Sequence, residues 1–348
     1  MENKIKKAEA WYDKNAVIYE RFSYEVSQII EKILKSKKIS YQSITQRVKE
    51  RDSYLNKCKK DNYSNPVEEI MDVAGIRIIA YTNNDVKRIC RIIEQEFTID
   101  SDNSGDKIEQ MEEDKVGYLS VHYIAELNDR RAGLTENSTF KNCKCEIQVR
   151  TLLQHAWAEI EHDRNYKFSG VLPKDIRRRF YLISGVLEMM DREFDALSNE
   201  IDNYSKIVQT KTRESDFDID IDTESLSQYL LSKFKNNTHL EPLTSTQVID
   251  KEVINELLRF GFVKIKDLDH ELTEEVIKKI VPKKDITTYV GMLRTLMLLL
   301  DVKKYFEVSY SRDWTAVTES QVVHWEEIGI KNINEYLDFA NIYIETRY

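Results

Sequence analysis

Hydrophobic residues between Lys4 and Leu34, among them Trp11, Ile18, Phe22, Val26, Ile29 and Ile33, recur at three- and four-residue steps, which predicts one or two amphipathic helices. Ala74–Tyr81 (AGIRIIAY) follows another rule. It is short and β-branched, and after Asn83-Asn84-Asp85 it gives way to the helical spacing Val86, Ile89, Cys90, Ile93, Phe97, so the pattern reads strand, cap, helix. Residues 99–115 are polar and read as a loop. Two more strands are expected over Gly117–Leu127 and Lys144–Arg150. In the second, Glu146, Gln148 and Arg150 alternate with Ile147 and Val149, which places three polar side chains on one sheet face and marks a cleft there. Thr151–Tyr166 reads as a helix with Leu152, Ala156, Glu159 and His162 along one side, and Arg177–Val208 as a long helix.

Beyond this the pattern changes. Glu214–Glu224 holds six acids and no base, with strict alternation at Phe217, Ile219 and Ile221. It is expected to be an acidic linker or an extended strand docking on a basic groove. The domains expected are therefore 1–210, a linker at 211–224, and a mainly helical domain at 225–348. The last contains a weak internal echo, Gly261-Phe262-x-x-Ile265-x-Asp267 and Gly329-Ile330-x-x-Ile333-x-Glu335, as two helical hairpins with glycine turns would give.

Composition narrows the class. With 348 residues, 41% hydrophobic, 32% charged, 9 Gly and 4 Pro, the chain reads as helix-rich and soluble, not disordered or Gly/Pro-rich all-β. No apolar run reaches the ~18 residues of a membrane span, and the charged N-terminus has no apolar signal core, so a cytoplasmic protein is expected. Cys58 and Cys90 stand alone, and Cys143 and Cys145 lie two apart, which is not zinc-finger spacing. No structural zinc is expected. Against a net charge of −9, the stretch Lys32–Lys60 carries ten basic residues and two acids, Glu50 and Asp52, which points to a polyphosphate or nucleic-acid contact.

Four segments can be combined into one nucleotide site. Arg47 and Lys49, with Ser53 and Lys57 at four-residue steps beyond, would set cations and a hydroxyl along one side of a helix, as a triphosphate needs. Asp72 opens a strand and Glu146 sits within another, and two carboxylates on neighbouring strands can hold Mg²⁺ beside phosphates. Tyr118, after Gly117, could stack on a base. Each alone is equally a surface lysine, a capping aspartate or a core tyrosine; their joint order carries the reading.

That order resembles the RelA/SpoT synthetases, the alarmone pyrophosphokinases, over roughly Ser43–Lys167. The matching strings are Gln46–Lys57 (QRVKERDSYLNK), Asp72–Arg77 (DVAGIR), Gly117–His122 (GYLSVH), Glu146–Thr151 (EIQVRT) and Trp157–Lys167 (WAEIEHDRNYK). The resemblance implies an α/β (α+β) fold, a nucleotidyltransferase-like mixed β-sheet flanked by helices. It implies an enzyme, an ATP-dependent pyrophosphokinase that moves the β,γ-pyrophosphate of ATP to a ribose 3′-hydroxyl of GDP or GTP and releases AMP. Carried over by position, Arg47 and Arg77 would sandwich adenine, and Lys49, Ser53 and Lys57 would hold the phosphates. Asp72 would ligate Mg²⁺, Glu146 would be a second ligand or the general base, Tyr118 would stack on the acceptor base, and His122 and Gln148 would line its pocket.

Two departures bear on the acceptor and on hydrolysis. The His-Asp hydrolase of bifunctional members is not expected, since about forty residues precede the first motif and His162-Asp163 stands without partner ligands. The Lys-rich stretch that usually precedes Gly-Tyr in guanosine-nucleotide synthetases here reads KIEQMEEDKVGY, with Lys107 and Lys115 as its bases. Toxic members that pyrophosphorylate the tRNA 3′ end share this lack, so tRNA stands as an alternative acceptor, with Lys32, Lys35, Lys37, Lys38, Lys59 and Lys60 as a backbone path. A third reading is a sensor with residual catalysis. The C-terminal domain would bind a protein trigger or inhibitor, or form a homo-oligomer.

Overall fold

The computed structural model describes residues 2–60, 63–106, 120–167, 173–241, 249–282 and 287–345. It divides into two units, Met1–Ser198 and Asn199–Tyr348. The first unit begins with α1 (Glu2–Ser36), β1 (Ser43–Val48), α2 (Arg51–Cys58), the short α3 (Pro66–Glu69), β2 (Ala74–Ala80), α4 (Asn83–Glu96), β3 (Phe97–Ile99) and β4 (Gly105–Asp106). It continues with β5 (Val121–Leu127), the short α5 (Asp129–Ala132), β6 (Cys145–Thr151), α6 (Leu152–Lys167) and α7 (Lys174–Arg213), which runs on past Ser198.

The sheet order is β1-β2-β6-β5-β3, with β4 also paired to β5. The central pair β2–β6 is parallel and the other pairs are antiparallel, so the sheet is mixed. Its two faces follow from strict alternation. Ala74, Ile76 and Ile78 on β2, Cys145, Ile147 and Val149 on β6, and Ala125 and Leu127 on β5 are buried in one core. Onto that face pack Phe22, Val26, Ile30 and Leu34 of α1, at the steps seen in the sequence, and Val86, Ile89, Ile92 and Ile93 of α4. Burying each such side chain contributes about 1.5–3 kcal/mol. Thr82, with its side chain accepting from the Asp85 N–H, caps α4. The N-terminal pattern is one 35-residue helix, not two.

The other face carries polar residues in rows set by register. Arg47 lies opposite Gly75, and Gly75 opposite Glu146; Thr45 lies opposite Arg77, Arg77 opposite Gln148, and His122 opposite Gln148. The strand of Arg47 departs from the helix expected there. Ser43–Val48 pairs along its length with β2, and helix begins only at Arg51, so Arg47 and Lys49 are held by the sheet edge and the turn after it.

Helix α7 is fixed to the first unit by polar contacts: Thr151 Oγ1 donates to Asp191 Oδ2 at 2.7 Å, and the Asn84 N–H donates to Asp195 Oδ1 at 2.9 Å. Phe180 meets Trp157 edge-on, with 5.3 Å between ring centres.

The second unit contains α8 (Thr223–Lys233), α9 (Lys251–Phe260), α10 (Ile265–Glu271), α11 (Glu274–Ile280), α12 (Tyr289–Lys304), β7 (Ala316–Thr318), α13 (Glu319–Glu327), α14 (Ile333–Phe339) and β8 (Tyr343–Glu345). The acidic alternating segment is part of this unit. Ile219 and Ile221 are buried in its core, the Ile221 N–H donates to the Val263 carbonyl at 2.9 Å, and Asp218 pairs with Lys264 and Lys266 at 2.8 and 2.7 Å. The alternation expected of a linker instead follows from apolar side chains turning inward and aspartates outward. The glycine echo is also structural. Gly261 and Gly329 have φ of 108° and 96°, a conformation that favours glycine, and in each turn the next N–H reaches back five residues, Phe262 to Leu257 and Ile330 to Trp325. Among the described residues no helix is long and apolar enough to cross a membrane.

Candidate active site

On the polar face Arg47, Lys49, Asp72, Arg77, Glu146 and Gln148 line one cleft with Gly75. Asp72 stands just before β2, where the chain enters the sheet. Its Oδ2 receives both Lys49 Nζ and Lys57 Nζ at 2.8 Å. Its Oδ1 is buried with no hydrogen-bond partner. Burial alone would lower the pKa of Lys57, but the hydrogen bond and charge of Asp72, with Tyr63 adding to them, carry it above the ordinary lysine value. Lys57 is therefore an ammonium ion, and one carboxylate oxygen holds both lysine side chains in the cleft.

Glu146 is bound at both oxygens: His122 Nδ1 lies 2.8 Å from Oε1, and Gln148 Nε2 donates to Oε2 at 2.8 Å. His122 Nε2 in turn lies 2.6 Å from Ser120 Oγ. This polar chain runs along β5 and β6, and the strands hold it in place.

A third cluster lies toward the end of β6, where α6 begins. Glu159 on α6 accepts from Arg77 at 3.0 Å and from Arg150 at 3.5 Å, and stands 3.6 Å from His155 Nδ1. Arg150 is only 5% exposed, its Nε has no partner, and burial first, then Arg77 and Arg47, bring its pKa down to about 10. Burial, then Arg150 and Arg77, likewise lower that of His155. An exposed carboxylate is thus the counter-charge for a crowded set of cations.

The structure brings together Arg47, Lys49, Lys57, Asp72, Arg77, His122, Glu146 and Gln148. Ser53 stands exposed in the first turn of α2, one turn before Lys57. Tyr118 lies outside the described residues, as do Lys107 and Lys115. Arg150 and Ser120 were not singled out for roles, although Arg150 belongs to the alternation that exposed Glu146 and Gln148. Arg47, Lys49, Lys57, Arg77 and Arg150 against Asp72, Glu146 and Glu159 leave the site positive within an acidic chain, as a polyphosphate requires. Among the described residues no three His, Cys, Asp or Glu side chains gather as a metal cage. A buried, unpaired Oδ1 on Asp72 beside Glu146 instead suits a cation that takes few protein ligands and the rest from phosphate and water, as Mg²⁺ does.

Residues 46–171 match the family described as the region found in RelA/SpoT proteins. The chain is 28% identical over 176 residues to the GTP pyrophosphokinase YjbM of Bacillus subtilis, covering 50% of this chain and 79% of that protein. It is 27% identical over 160 residues to the GTP pyrophosphokinase YwaC of the same organism, covering 45% and 73%. Among solved structures, that of the small alarmone synthetase 1 from Bacillus subtilis bound to its product pppGpp is similar at 27% identity and a TM-score of 0.46, covering 55% of this chain and 98% of that one.

Proposed function

We propose that this chain, whose residues 46–171 match the region found in RelA/SpoT proteins, transfers the β,γ-pyrophosphate of ATP to the ribose 3′-hydroxyl of GDP or GTP. The observation that carries the reading is Asp72, gripped through one oxygen by Lys49 and Lys57 while its other oxygen is buried and unpaired. Such a group is arranged to exchange its ammonium partners for a cation and a phosphate chain. The guanine-nucleotide acceptor rests on the names of the two relatives.

The residues divide the work as follows. Lys49 and Lys57 leave Asp72 to neutralise the β- and γ-phosphates, and Ser53, one turn before Lys57, reaches the same phosphates. Arg47 and Arg77, from neighbouring strands, flank the adenine as planar cations. Asp72 is the residue that would hold Mg²⁺, which when bound would supply further neutralisation of the phosphate charge. His122 and Gln148 fix the carboxylate of Glu146 toward the acceptor ribose. The 3′-oxygen attacks the β-phosphorus, its proton passes to Glu146, the bond from the β-phosphorus to the α,β-bridging oxygen breaks, and AMP leaves with that oxygen. Tyr118 stacks on the acceptor base. Phosphoryl-type transfer demands little beyond position and charge neutralisation, which this set of cations supplies.

The test is purified full chain with γ-³²P-ATP, offered GDP, GTP, ATP and bulk tRNA separately. Label on GDP or GTP with stoichiometric AMP supports the proposal. Label on tRNA alone overturns the acceptor and leaves the donor chemistry, whereas no AMP with any acceptor overturns both.

A further inference from the structure

Two guanidiniums and an imidazole meet a single carboxylate oxygen where α6 folds back over the cleft. Arg77 Nη1, Arg150 Nη2 and His155 Nδ1 lie 3.0, 3.5 and 3.6 Å from Glu159, and all three contacts fall on Oε1. Among the described residues Oε2 takes none of them. The Glu159 side chain is 56% exposed, whereas Arg150 behind it is almost wholly buried, so one oxygen is anchored to the sheet and the other faces outward. Register fixes where this group stands. Arg77 lies opposite Gln148, and Arg150 lies opposite Ile79, one row further along the parallel β2–β6 pair. Asp72, with Lys49 and Lys57, stands at the other end, before Ala74. A nucleotide whose phosphates reach those lysines and whose base lies between Arg47 and Arg77 therefore turns the far rim of the base toward Arg150 and Glu159. In adenine that rim carries a 6-amino group, a donor; in guanine and hypoxanthine it carries a 6-oxo group, an acceptor.

We propose that Glu159 selects the base of the pyrophosphate donor, its Oε2 accepting a hydrogen from the 6-amino group of adenine and rejecting the 6-oxo group of guanine. The inference rests on the adenine site proposed above and adds to it the residue that makes the site specific. Discrimination is needed there, because a guanine nucleotide is the acceptor in the same cleft and carries the same phosphates as ATP. Neither the lysines nor the arginines can supply it. The lysines meet phosphate oxygens that ATP and GTP share, and a planar cation stacks on any purine. Arg77 divides its two surfaces, the flat face remaining for the base while the edge donates to Glu159. A carboxylate can only accept, so a 6-oxo group set against it leaves two acceptors facing each other with no hydrogen between them.

Donor binding can be read without turnover by displacing a tritiated α,β-methylene analogue of ATP, whose P–C–P link cannot break, from the full chain. The competitors are ATP and ITP, whose bases differ in the 6-amino or 6-oxo group. Wild type should prefer ATP by about tenfold or more, as a hydrogen bond to a charged group gives. Glu159→Gln, whose amide can turn its oxygen or its N–H to the base, should bring the two nucleotides within about threefold of each other while ATP affinity stays near wild type. Glu159→Ala should weaken ATP about tenfold and leave ITP unchanged. A side chain that merely held Arg77 in place would weaken both nucleotides alike. An ATP-to-ITP ratio unchanged in both variants, or a wild type that binds the two equally, overturns the proposal. No binding of the analogue overturns the adenine site and this inference with it. Selective binding that Glu159→Gln abolishes, in a chain that transfers no pyrophosphate, supports the inference and overturns only the proposed reaction.

Discussion

Gly75 and Glu146 lie opposite each other in the parallel β2–β6 pair, so the carboxylate at the centre of the cleft has a neighbour without a side chain. A Cβ built at Gly75 would stand 3.8 Å from Arg47 Cγ, an ordinary contact. We therefore expect Gly75→Ala to fold with an unchanged melting temperature. Gly75→Leu should fill the space between Arg47 and Glu146 and lower turnover by ~10²-fold or more, as misplacement of reacting groups does. Equal activity in the Leu variant would show that substrate does not enter there.

Asp72→Asn and Glu146→Gln test the two carboxylates. Each should lower transfer by about 10²–10⁴-fold with the fold intact, because an amide can neither take the proton nor balance the cations. Activity within about tenfold of wild type in both removes them from the chemistry.

Arg150 separates stability from function. Removing one partner of a buried ion pair destabilises because the other charge is left stranded, but Glu159 is exposed and stays solvated without Arg150. Arg150→Met should keep or raise the melting temperature while the KM for ATP or for acceptor rises. An unstable variant with unchanged kinetics would make Arg150 a structural residue.

His155 gives a pH signature. Its pKa is lowered in the folded chain by burial and by Arg150 and Arg77, so the unfolded chain binds a proton more readily. Stability should be complete above the ordinary histidine value near 6.5 and decline as pH falls below it. His155→Gln should flatten that decline, measured as melting temperature from pH 7.5 to 5.

In the second unit Glu256 is fully buried. It takes two hydrogen bonds from Arg294, at 2.7 and 3.1 Å, one from Tyr305 and one from Ser311. Glu256→Ala leaves the Arg294 guanidinium without its partner and should cost about 3–5 kcal/mol of unfolding free energy by urea titration. Replacing Glu256 and Arg294 together by Met should cost much less. Similar losses in both would place the importance of the site in packing.

The sequence was most legible where apolar spacing and chemistry coincide. β2, α4, β6 and α6 follow from period and cap, and Glu146 and Gln148 from their alternation. β1 was not legible as a strand. It is an edge strand whose outward residues, Thr45 and Arg47, are polar, and its pairing with Ala74–Ala80 is set by a partner distant in sequence. Its cations, read along the chain, imitate the four-residue spacing of a helix that starts only at Arg51. Arg150 is legible on the cleft face, but its part in the site is not, for a related reason. Its burial depends on α6 folding back over the face that β6 exposes, which no local pattern encodes.

The paired glycine turns have a consequence for folding. Gly261 and Gly329 join helices whose inward residues correspond, Leu257 with Trp325, Phe262 with Ile330, and Ile265 with Ile333. Two like modules in one chain invite exchange, the first helix of one docking against the second helix of the other, a characteristic error of repeated structures. The modules differ where confusion would be most costly. Trp325 is far larger than Leu257 and donates its indole N–H to Thr295 at 3.0 Å. A crossed arrangement would leave a cavity at one turn and an overfilled one at the other, so unequal side-chain volume at matched positions keeps each module with its own partner.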